Sequence, residues 1–89
     1  MSSKKALLFY NFIMREKMNI SKIVGNNLKN ARKMKGLTQK ELAKELNKYQ
    51  SDYSEYESGK IQLDYEKIVF LCNRLDITPN DLFDIDDKI

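Results

Sequence analysis

TQKELAKELNKYQSDYSEYESGK, residues 38–60, is the stretch from which the fold is read. Thr38 and Glu41 have the spacing of a capping box. In that motif the threonine hydroxyl caps the Glu41 amide while the glutamate reaches back to the Thr38 amide. Leu42, Ala43 and Leu46 then recur on one side of a helix. Asn47 follows where the chain must turn, and asparagine tolerates the left-handed conformation that usually falls to glycine. A further helix is expected from about Gln50 to Glu57, ending at Ser58 and Gly59. Ala43 stands where a larger side chain would hold the two helices apart. The stretch therefore predicts two short helices joined by a sharp turn.

Upstream, Ser21 can cap a helix whose Val24, Leu28 and Ala31 recur at helical spacing until Gly36 stops it. Downstream, Asp64 can cap a fourth helix with the stripe Ile68, Leu71, Cys72 and Leu75. Phe70 projects away from that stripe, and Cys72 on it reads as core filler. Thr78 and Pro79 open a fifth helix, with threonine as N-cap and proline at the first helical position, and Leu82 and Phe83 facing inward. No segment alternates with period two, so the chain is expected to be all-α. The expected organisation is a domain over residues 21–84 and an acidic tail over residues 85–89.

Residues 1–20 read MSSKKALLFYNFIMREKMNI, a basic start followed by an apolar stretch, residues 6–14, interrupted only by Asn11. That stretch is too short to span a bilayer, which needs ~20 residues. It resembles the start of a secretory signal, but no small-residue cleavage site follows and Arg15, Glu16 and Lys17 come at once. An additional amphipathic helix is expected here, with Phe9, Phe12 and Phe70 contributing to packing within the chain or across a dimer. Met18 leaves open a second translation start, with the first seventeen residues as an upstream extension.

With 89 residues the chain suits one domain, and a helical chain of this size can bury an adequate core. There is no histidine and one cysteine. Those counts exclude an internal disulfide, a histidine-based zinc site and a thiolate cage, and they fit a reducing cytoplasm. The net charge of +3 conceals a polarity along the chain. Residues 1–48 carry twelve Lys/Arg against three Glu, a net of +9, whereas residues 49–89 carry four basic and ten acidic residues, a net of −6. A basic half opposite an acidic half would orient the molecule on a polyanion, and nucleic acid is the usual one.

Three stretches carry a resemblance: VGNNLKNARKMKGLTQKELAKEL, then SEYESGK, then IVFLCNRLDITPNDLF. Through them residues 24–83 resemble the lambda-repressor-like, Cro-like (Xre-type) helix-turn-helix family, without a gap. The most diagnostic piece is G-L-T-Q followed eighteen residues later by Glu57, then Gly59 and Lys60. The resemblance implies a five-helix domain that binds double-stranded DNA, usually as a dimer on inverted repeats. It implies that Gln39 bonds a phosphate, helped by the helix N-terminus behind it. Gln50, Ser51 and Glu55 take the base-facing positions of the recognition helix. Gln can hold adenine bidentately and Glu can accept from cytosine, whereas Ser discriminates poorly. Lys48, Tyr49 and Lys60 are placed to meet phosphates. Arg32 and Glu57 correspond to the family's partly buried ion pair, a structural feature that fixes the loop after the recognition helix.

This sequence departs from the family pattern in three places. Tyr49 stands where Ser or Thr usually caps the recognition helix, and a phenol cannot cap in that way. Tyr53 replaces an aliphatic residue facing the core, so its hydroxyl needs a partner. Asp52 and Glu55 bring carboxylates towards DNA, although Asp52 also complements the helix dipole. The expected function is a non-enzymatic, sequence-specific transcriptional regulator, a repressor acting as a homodimer, with no cofactor, small-molecule substrate or membrane partner. The alternative is a protein-interaction module, antitoxin-like, with weak or no DNA binding.

Overall fold

In the computed structural model the described residues are 19–85, and they form five helices with no strand among them. These are α1 (Ile20–Met34), α2 (Gln39–Glu45), α3 (Gln50–Ser58), α4 (Tyr65–Leu75) and α5 (Pro79–Phe83). Each contributes one completely buried large side chain: Leu28, Leu42, Tyr53, Leu71 and Leu82 respectively. Val24, Ala31, Ala43, Tyr56, Cys72 and Leu75 complete the core around them. Helix α1 packs against both α3 and α5, α2 packs against α3, and α4 against α5. The fold thus has one core, with α1 bridging α3, which carries α2, and α5, which carries α4.

The helix boundaries follow local chemistry. Thr38 and Glu41 form the capping box that opens α2, and Asp64 accepts from the Lys67 amide at the start of α4. Thr78 caps α5, Pro79 occupies its first turn, and Asp81 completes a second capping box. Asn47 and Gly59 adopt left-handed conformations at the ends of α2 and α3.

One boundary differs from the sequence reading. Helix α1 starts at Ile20, with Asn19 in the cap position making no side-chain cap bond, so Ser21 lies inside the first turn. Ile20 packs against the core, and the amides of Lys22 and Ile23 both reach the Asn19 carbonyl at 3.1 Å. Burial of the isoleucine carries the helix back past the serine, which places Ile20 within the folded domain. The expected packing residues Phe9 and Phe12, and the rest of residues 1–18, lie outside the described residues, as does the tail at 86–89.

Gly25 was not singled out by its position in the sequence, yet it sets the closest helix contact. A Cβ there would lie 2.4 Å from the Glu57 carbonyl oxygen and 2.5 Å from that of Tyr56. The backbone of α1 touches the C-terminal turn of α3, which only glycine allows. Gly59, at φ +81, is pressed against the backbone of Lys22 from the other side. An isolated glycine inside a helical pattern is the signal that could have marked Gly25.

Candidate nucleic-acid interface

Helices α2 and α3 are joined by residues 46–49, and the turn is closed by backbone bonds. The Lys48 amide donates to the Ala43 carbonyl at 2.9 Å, and Asn47 takes φ 57. Ala43, almost completely buried, allows the close approach. Tyr49 sits in extended backbone as the N-cap of α3, makes no side-chain cap bond, and is 82% exposed. The missing cap is consistent with a phenol too long to fold back on its own helix.

Helix α3 has two unlike sides. Its inner side presents Tyr53, Tyr56 and Glu57, all buried, with the two rings edge to face at 6.2 Å. Glu57 is the centre of a closed hydrogen-bond cluster. Arg32 donates through Nε to Oε2 at 2.6 Å and through Nη2 to Oε1 at 3.1 Å. Tyr53 Oη donates to Oε2 at 2.6 Å, and Gln39 Nε2 donates to Oε1 at 3.0 Å. Arg32 also holds the α1–α2 loop through Nη1 to the Leu37 carbonyl at 2.7 Å. A buried ion pair is tolerable only when its remaining hydrogen-bonding capacity is met. Here it is met: among the described residues no buried side-chain nitrogen or oxygen lacks a partner.

The charge states follow from that cluster. Burial works against the Glu57 carboxylate, but the hydrogen bonds from Arg32, Tyr53 and Gln39 outweigh it and hold the group below its ordinary range. Burial, and then the hydrogen bond to Glu57, pushes the Tyr53 phenol well up, so it stays a donor. The hydrogen bond to Glu57 raises Arg32 further, against the opposing effect of its burial.

The cluster reaches the surface through one side chain. Gln50 Nε2 donates to Gln39 Oε1 at 3.4 Å. Because Glu57 can only accept, the nitrogen of Gln39 must face it and the oxygen of Gln39 must face Gln50. That in turn fixes which end of the Gln50 amide points inward. Gln39, expected at a phosphate, therefore bridges the interior and Gln50, with one N–H left over.

The outer side of α3 and the adjoining face of α2 form an open cleft of about 650 Å³. Lys40, Lys44 and Lys48 line it, together with Tyr49, Gln50 and Asp52. Lys48 and Tyr49 were expected from the sequence, whereas Lys40 and Lys44 were not. Their spacing of four along one helix face is the pattern that could have found them. Ser51 is exposed on α3. Glu55, half-buried, lies 3.6 Å from Lys60 Nζ, so these two expected DNA contacts also face one another. The cleft is thus mainly positive, with Asp52 as the acidic member.

Elsewhere the chemistry is quiet. Burial, and then the charge of Asp81, pushes the Cys72 thiol up, which disfavours the reactive thiolate. Among the described residues no group of His, Cys, Asp and Glu could hold a metal ion, and no helix is long and apolar enough to cross a membrane. Tyr65, Val69 and Phe70 on α4 are exposed, Phe70 the least of the three.

A family model described as a helix-turn-helix domain matches residues 25–87, from α1 through α5. No curated protein and no solved structure matches the chain.

Proposed function

The chain belongs to the helix-turn-helix domain family, and on that premise we propose that it is a sequence-specific DNA-binding regulator. It acts as a repressor, as a homodimer on inverted repeats whose half-sites lie about one helical turn, ~34 Å, apart. It carries out no chemistry of its own. Helix α3 enters the major groove, and the observation that carries this reading is the anchored amide of Gln50. With one Nε2 hydrogen on Gln39, the side chain keeps its Oε1 and its second N–H for a partner, the pair that matches adenine N6 and N7. Lys40, Lys44 and Lys48 beside it supply the phosphate attraction, with Tyr49, Lys60 and the leftover Gln39 N–H at the margins. Ser51 and Glu55 face neighbouring bases. The contact of Glu55 with Lys60 moderates its repulsion from phosphates.

A second reading, a protein-interaction module, is favoured by Tyr65, Val69 and Phe70, which leave apolar surface on α4. Selection of binding sites from a random duplex pool separates the two readings. The regulator enriches an inverted repeat bound by two chains, and its affinity falls steeply with salt. Failure to enrich any sequence, with only micromolar binding, transfers the function to the interaction module.

A further inference from the structure

A second cleft, of about 360 Å³, lies away from the lysine-lined one and shares no residue with it. Ile20 and Val24 of α1, Leu63 of the α3–α4 loop, Ile68 of α4 and Phe83 of α5 line it, with Tyr65 at its rim. Its lining is mostly apolar and only partly covered: Ile20, Leu63, Ile68 and Phe83 all pack on the core yet keep exposed surface. We infer that residues 6–14 of the same chain fold back and occupy this groove.

Three observations select that occupant. The first is where the chain enters: Ile20, the first residue of α1, is itself part of the groove wall. Only residues 15–19 separate it from the apolar stretch, a tether that spans at most ~17 Å. So short a link keeps the segment at an effective concentration near the millimolar range, ahead of any second molecule at ordinary concentrations. The second is chemistry. Residues 6–14 include Leu7, Leu8, Phe9, Phe12 and Ile13, the side chains an apolar groove accepts.

The third is charge. Residues 1–17 carry Lys4, Lys5, Arg15 and Lys17 against Glu16. The segments framing the groove, residues 20–24, 61–68 and 79–85, carry Asp64, Glu66, Asp81 and Asp84 against Lys22 and Lys67, an acidic excess of two. The acidic tail at 86–89 has the wrong sign for the same place. Phe70 is not part of this wall. It lies two residues beyond Ile68, about 200° round the helix, so the N-terminal segment and Phe70 serve different surfaces.

The test uses the full chain with a nitroxide on Asn11→Cys, at the one polar position of the stretch, Cys72 being buried. Paramagnetic broadening is expected at the methyl groups of Ile20, Leu63 and Ile68, unchanged on dilution. Phe9→Asp with Phe12→Asp should abolish the broadening and lower the melting temperature by roughly 4–8 °C. Broadening elsewhere, or none, overturns the inference. So does broadening that appears only between labelled and unlabelled chains in a mixture, which gives the groove to a second copy. A double variant with unchanged melting temperature overturns it too.

Discussion

The two sides of α3 are built on opposite terms. The inner side carries a glutamate and two tyrosines in places where apolar residues would pack, and no buried side-chain nitrogen or oxygen there lacks a partner. The outer side carries Gln50, Ser51 and Asp52, all exposed, and only Gln50 has a side-chain link inward. Nine residues of helix thus serve stability on one face and availability on the other. The outer face need not contribute to stability, because the inner face and α1 hold the helix in place. One strand of interaction connects them, the run from Arg32 through Glu57 and Gln39 to Gln50.

The inner side is most sensitive at Glu57. Glu57→Ala strands Arg32 in the interior, and we expect a loss of ~3–5 kcal/mol, read from the denaturant midpoint. Against the 5–15 kcal/mol usual for a domain, that removes a large part of the stability. Next is Gly25→Ala. Alanine favours a helix over glycine by ~1 kcal/mol, but its Cβ would collide with carbonyl oxygens of α3 that cannot turn away. Overpacking wins, with a net loss of ~1–3 kcal/mol.

Tyr53→Phe is milder, because Arg32 and Gln39 still satisfy Glu57. A loss of ~1–2 kcal/mol is expected, with the phenylalanine ring keeping the core filled. Acid should act through the same carboxylate. Glu57 lies below its ordinary value of 4.5 in the folded protein, so its contribution is complete above that pH. It is lost as pH falls from there through the lower folded value. Glu57→Gln should therefore flatten the acid limb of a stability profile below pH 4.5. On the outer side, Ser51→Ala should move stability by less than ~0.5 kcal/mol.

Much of this architecture was legible in the chain. Both residues of the first capping box, the turn at Asn47 and the core stripe of α4 are local signals, and local chemistry decides them. The partners Arg32 and Glu57 were legible only through the family pattern, since nothing local links positions 25 residues apart. What escaped depends on three-dimensional approach. Gly25 matters because α3 arrives on top of it, and Lys40 and Lys44 matter because Lys48 comes round beside them. Ser21 misled because its capping chemistry is local while the burial of Ile20 is not. Tyr53 was flagged as a hydroxyl in need of a partner, and the structure supplies Glu57, one helical turn along.

The proposed function rests on Gln50 reading a base from the outer side of α3. The direct measurement compares the wild-type chain and Gln50→Ala on the selected site, and on the same site with its half-site adenine replaced. Replacing the adenine should cost the wild type ~1–3 kcal/mol of binding, and Gln50→Ala should bind both duplexes equally weakly. A wild-type chain that binds the two duplexes alike would contradict it.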